Sequence, residues 1–176
     1  IDALYTSDLA RASQTAAPIA SACGFVGVPD TRLRERHFGR FEGSFYEVLA
    51  RDDPDRHQRL LSRDLGFDLD GGETIPALHA RVCAAIAAIV GRHAGERVVV
   101  VTHGGVLDCA YRLATGLALD APRPVGLFNA SLNTLRHDDD GYRVVDWGDV
   151  GHLDSAADEI DPRRRPSSRV GQGKPR

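Results

Sequence analysis

The run VVVVTHGG at residues 98–105 constrains this chain more than any other stretch. Four consecutive valines favour a strand, and an uninterrupted apolar run is typical of a parallel strand covered on both faces. Beyond it, Gly105 to Gly116 returns to helical spacing, with Val106, Leu107, Ala110 and Leu113 predicted to face inward. A buried strand feeding straight into a helix belongs to a mostly parallel sheet with helices on its faces. In open sheets of that kind, ligands bind beyond the carboxyl ends of the strands. A titratable side chain, His103, stands at that point, with two glycines after it. Glycine lets a ligand approach the backbone, and free N–H groups at a helix start attract anions.

The rest of the chain supplies the partners of such a unit. Residues 2–6 read as a strand and 8–22 as a helix, with Ser7 or Asp8 as the expected cap and Gly24 as its end. Phe25 to Val28 reads as a second short strand, and 31–43 as a loop. Glu47 to Ser62 reads as one or two charged surface helices broken near Asp53-Pro54. Thr74 to Arg92 is the clearest helix: Thr74 suits the cap, and Pro76 falls in the first turn, where its missing N–H costs little. Ser131 to Arg136 and Tyr142 to Trp147 alternate around DDDG and predict a β-hairpin. The fold class is therefore α/β, with a mostly parallel sheet.

At 176 residues the chain suits one domain. No apolar run approaches the ~20 residues that cross a bilayer, so no membrane role is expected. Three scattered cysteines, Cys23, Cys83 and Cys109, suggest neither a disulfide framework nor a zinc site, and a cytoplasmic location is the default. The histidines lack metal-ligand spacing, and GGVLDCAYRLATG lacks the glycine spacing of a dinucleotide site. Metal none and cofactors none are the resulting expectations.

Charge is uneven. From Asp161 onward five Arg and one Lys stand against one Asp, a net +5, which leaves −8 for the remainder of a chain whose formal net charge is −3. That stretch is poor in apolar residues, so 154–176 is expected to be a disordered basic tail following a domain over 1–153. A solvated extension is the plainer reading of it, and nucleic acid is not the expected partner. The chain also opens on IDALYTSDLA, without Met and in mid-element, so residues are expected upstream.

Arg11, in YTSDLARA, falls about one turn into its helix and offers a planar fork of donors suited to phosphate. With His103 it makes a plausible phosphate pocket, although each has a plain structural reading when taken alone. Glu35, in LRERHFGRFEG, sits among arginines and could be a surface ion pair; GGET at 71–74 could be only a turn.

Taken in order, YTSDLARASQTA, LRERHFGRFEG, GGET, VVVVTHGGVLDCAYRL and FNASLNTL resemble the histidine phosphatase superfamily, in its phosphoglycerate-mutase-like branch. The resemblance runs from about Ile1 to Leu153. It implies a three-layer α/β/α sandwich and a phosphohistidine mechanism. By it, Arg11 grips the phosphoryl oxygens, Glu35 serves as general acid, and His103 stabilises the transferring group. Ser7, Gly104 and Asn129 fall at positions expected to bind substrate. The nucleophilic histidine of the family lies in an Arg-His-Gly motif, which this chain lacks. The resemblance therefore implies that the first strand, with the nucleophile, precedes Ile1, and that the chain as given is inactive without it. Glu35 and Gly72 stand close together, which is similar to the shorter phosphatase members. Phosphomonoester hydrolysis of a small phosphorylated metabolite is the expected activity. Mutase-type phosphoryl transfer and a non-catalytic phosphate-binding role stay open, as does a homo-oligomer.

Overall fold

In the computed structural model the described residues are 1–43 and 46–153. Three parallel strands form the central sheet: β1 (Ala3–Thr6), β2 (Val28–Pro29) and β3 (Val98–Val101), in the order β2-β1-β3. β1 and β3 run in register from Ala3 opposite Val98 to Thr6 opposite Val101. The helices are α1 (Ala10–Cys23), α2 (Tyr46–Asp52), α3 (Pro54–Leu61), α4 (Ile75–Arg92) and α5 (Gly104–Thr115). Strands β4 (Leu132–Asp138) and β5 (Gly141–Asp149) pair antiparallel as a separate hairpin. The expected tail lies outside the described residues.

Strand alternation sorts the side chains of β1. Tyr5 joins Leu33, Leu78, Val82, Ala85, Ile89, Val106 and Cys109 in the main core, between the sheet and the pair α4–α5. Leu4 points the other way, toward the face where α1 buries Ala12 and Ala16. Helices thus cover both faces of the sheet, the α/β/α arrangement expected. By length and composition α4 passes as a membrane span, but its Leu78, Val82, Ala85 and Ile89 are buried in this core.

Local chemistry explains most boundaries. Asp53 caps α3 by accepting from the Arg56 N–H, with Pro54 in the first turn; this is the break expected there. Thr74 caps α4 through the Ala77 N–H. Gly24 and Gly116 close α1 and α5 in the left-handed conformation.

Four expectations need correction. Neither Ser7 nor Asp8 caps α1: the cap residue is Leu9, with no side-chain bond, because the Ser7 hydroxyl is taken up elsewhere. The second strand is Val28–Pro29 rather than 25–28, since only these residues reach the edge of β1. The loop at 31–43 contains two short 3-10 turns, Thr31–Leu33 and Gly39–Phe41. The valine strand is not covered on both sides: Val100 is 38% exposed, and the sheet of described strands ends at β3.

The buried face of α5 also differs from its apolar spacing. Asp108, Cys109 and Arg112 are buried, whereas Leu107 and Leu113 are only half-buried. Asp108 Oδ2 accepts from Arg63 Nη2 at 2.9 Å and from Arg112 Nε at 3.1 Å, and Oδ1 accepts from Arg123 Nε at 2.9 Å. The carbonyls of Ala118, Leu119 and Ala121 accept further guanidinium N–H groups from Arg112 and Arg63. These bonds offset the desolvation that burying such charges costs. They lock α5 to the segment after α3 and to residues 118–123.

Candidate active site

The site lies at the carboxyl ends of β1 and β3. Ser7 follows β1 and donates its N–H to the Val101 carbonyl at 2.9 Å. Its side chain is fully buried, and its Oγ lies 2.8 Å from His103 Nε2. One helical turn further, the exposed Arg11 donates its Nε–H to His103 Nδ1 at 3.2 Å. An arginine can only donate, so Nδ1 is an acceptor and the neutral ring carries its proton on Nε2, which donates to Ser7. Burial, then the charges of Arg11 and Arg81, push the His103 pKa down to about 4, while Asp8 acts weakly the other way. The imidazole is therefore neutral near pH 7.

Glu35 reaches the same helix start from the opposite side. Its Oε2 accepts the Gly105 N–H at 3.1 Å, and Oε1 accepts the Arg36 N–H at 2.7 Å. The carboxylate thus rests on the N-terminus of α5, where backbone donors and the helix dipole favour negative charge. Gly105 is required for this: a Cβ there would overlap Oε1 of Glu35. The plain reading of Glu35 as a surface ion pair does not hold, because its partners are backbone amides.

The segment carrying Glu35 is held by the GGET turn together with Arg36 and Arg81, of which only Arg81 lies outside the motifs. Arg81 on α4 makes a two-pronged ion pair with Glu73 at 2.7 and 2.8 Å and donates to the carbonyls of Arg32 and Arg34. Arg36, itself buried, donates to the carbonyls of Glu73 and Phe67. Gly72 packs so tightly that a Cβ would meet the His37 carbonyl at 2.5 Å. GGET is thus the clasp that positions Glu35, more than a turn. Position alone would have hinted at Arg81, since it lies two turns beyond Glu73.

Ser7, Arg11, Glu35, His103 and Gly104 are brought together; Gly104 is buried as the first residue of α5. Asn129 is not joined to them: it sits exposed in the turn before β4, and no hydrogen bond among the described residues ties it to His103. The other arginines of 36–70 are mostly spoken for. Arg51 pairs with Asp52, Arg56 with Asp53 and Asp70, and Arg59 with Asp64.

At the strand ends of a parallel sheet stand a neutral histidine, an exposed arginine and a carboxylate seated on a helix N-terminus. The chain belongs to the histidine phosphatase superfamily (branch 1), whose family profile matches residues 1–150. Two relatives from Arabidopsis thaliana are each 38% identical over 157 residues. Phosphoglycerate mutase-like protein 4 is matched over 88% of this chain and 67% of its own length. A metal-independent phosphoserine phosphatase is matched over 87% of this chain and 63% of its own length. The chain thus spans about two thirds of these relatives. A mycobacterial glucosyl-3-phosphoglycerate phosphatase superposes with a TM-score of 0.73 at 28% identity, covering 83% of this chain and 76% of that one.

Proposed function

We propose that this chain is the larger part of a metal-independent phosphomonoesterase that works through a phosphohistidine. The observation that carries the reading is the convergence of Arg11 and Glu35 on the strand-end histidine His103 and the helix start behind it. In this reading Arg11 grips the phosphoryl oxygens and His103 donates to them in the transition state. Fixed donors aimed at developing charge supply most of such a catalysis. Glu35 serves as the general acid when it leaves its amide seat carrying a proton taken up from solvent, which it passes to the leaving oxygen, and as the resulting carboxylate it then helps activate water. Two of the relatives reported above carry phosphatase names, and the short Glu35–Gly72 spacing points the same way. The likeness to a mutase-like protein keeps transfer to a second hydroxyl as the other reading.

The nucleophile of this reading is a histidine of an Arg-His-Gly segment upstream of Ile1. Its strand would run along the edge of β3 that faces away from β1. Three observations support that placement: β3 ends the sheet of described strands, Val100 is exposed, and among the described strands β4 and β5 form a two-stranded sheet separate from it. Small phosphorylated metabolites are the substrate class, and the cytosol is the compartment, consistent with three free cysteines.

The test is to express the gene with its upstream codons and incubate it with a labelled phosphomonoester in the presence of a chelator. An acid-labile, alkali-stable phosphoenzyme that turns over is expected, and His103→Ala should slow turnover by roughly 10²–10³-fold. Metal-dependent hydrolysis with no phosphoenzyme would overturn the reading.

A further inference from the structure

The hydrogen bonds around His103 do not yet suit an anion. Nδ1 faces Arg11 with a lone pair, and that is the side on which a phosphoryl group gripped by Arg11 would lie. A lone pair set against an oxyanion oxygen is repulsive, and the Arg11 Nε–H is spent on the ring. Both faults are cured by one proton. With a proton on Nδ1, the imidazolium donates to the anion, and Arg11 is freed to turn its Nε–H to the same anion. The ring can hold that proton only if its other nitrogen keeps an acceptor. Ser7 provides it: its Oγ is fully buried and 2.8 Å from Nε2, with the Leu9 N–H at 3.3 Å on another side.

We infer that Ser7 is the positioning residue that fixes the protonated nitrogen of His103, and that a tetrahedral dianion entering the site draws one proton onto His103 Nδ1. This deepens the phosphatase reading and rests on it. The charged neighbours are consistent. Arg11 on α1 and Arg81 on α4 oppose a cation at His103, and only Asp8 favours one. Glu35 is already engaged by the Gly105 and Arg36 amides. A bound dianion changes that balance, since it adds two negative charges beside the ring. By linkage, a group whose proton affinity rises on binding takes up a proton from the buffer. In the occupied site His103 is then a donor to the transferring group, whereas in the empty site it is an acceptor.

Tungstate is a suitable probe, because it is a tetrahedral dianion that does not itself titrate near pH 7. Its binding to the protein expressed with its upstream codons would be measured calorimetrically at pH 7 in buffers of different ionisation heat. Uptake of about one proton per site is expected. Ring-nitrogen NMR of the free protein should show the proton of His103 on Nε2, and both nitrogens protonated once tungstate is bound. Ser7→Ala should lose most of the uptake and bind roughly tenfold more weakly, whereas Ser7→Thr, which keeps the hydroxyl, should restore both. Tungstate binding with no proton uptake, or a free-state proton on Nδ1, would overturn this inference and leave the phosphatase reading standing. Failure of tungstate to bind at all would overturn both.

Discussion

Two groups of arginines meet α5, and they are used in opposite ways. At its start, Arg11 is exposed and donates to a neutral imidazole; among the described residues it makes no ion pair. One turn further along, Arg63, Arg112 and Arg123 surround a single buried carboxylate, and neighbouring carbonyls absorb N–H groups of Arg63 and Arg112. The chemistry of the side chain is the same in both places. The difference lies in what has been saturated. Cationic donors whose demands are met inside the protein hold it together, and a donor left under-used is available to a ligand.

The largest expected effect would break the second group. Asp108→Asn leaves three guanidiniums facing one another without their shared negative charge. A loss of about 3–5 kcal/mol in urea unfolding is expected. A loss under 1 kcal/mol would mean that the carbonyls alone satisfy the cluster. Next in size is the pH dependence of the first group. The folded-state pKa of His103 is depressed from 6.5 to about 4. Between those values the unfolded chain binds a proton that the folded chain does not. Stability is therefore full above 6.5 and is lost as pH falls toward 4. At ~1.4 kcal/mol per unit the loss is on the order of 3 kcal/mol. His103→Gln should flatten that part of the curve measured by thermal melting at stepped pH; an unchanged slope would assign it to other groups.

Arg11→Ala sharpens the contrast. Tungstate affinity should drop roughly tenfold to a hundredfold, as expected for bonds to a charged group, while the melting temperature of the unliganded protein barely moves. Parallel losses in both would place Arg11 with the structural arginines. The smallest effect is at Arg34, which forms an exposed two-pronged pair with Asp8 beside the site. Arg34→Ala should leave the melting temperature almost unchanged, and any small shift should shrink further in high salt.

The same contrast explains what could be read from sequence. The elements followed from period and caps: Asp53-Pro54 and Thr74-x-Pro76 mark helix starts by local chemistry, and VVVV followed by glycines marks a strand entering a helix. Arg11, Glu35 and His103 were legible because their motifs stand in a recognisable order. Asp108 and Arg112 were not, since periodicity treats charged residues as outward and ranks Leu107 and Leu113 above them. Their spacing of four residues, on the same face as Cys109, was the available signal. Serine at a strand-to-helix turn reads as a helix cap, and only the family resemblance places Ser7 near substrate. Its bond to a residue 96 positions away is tertiary, and no local pattern encodes it.

The seat of Glu35 on α5 has one more consequence. Amides in the first turn of a helix have no acceptor within the helix and ordinarily exchange their hydrogens with water quickly. The Gly105 amide is instead bonded to the Glu35 carboxylate. Its exchange rate is therefore a gauge of whether the acid is docked, legible at a single backbone position without any substrate or turnover. Slow exchange would report a carboxylate at rest on the helix, and each departure of that side chain would leave its mark there as deuterium.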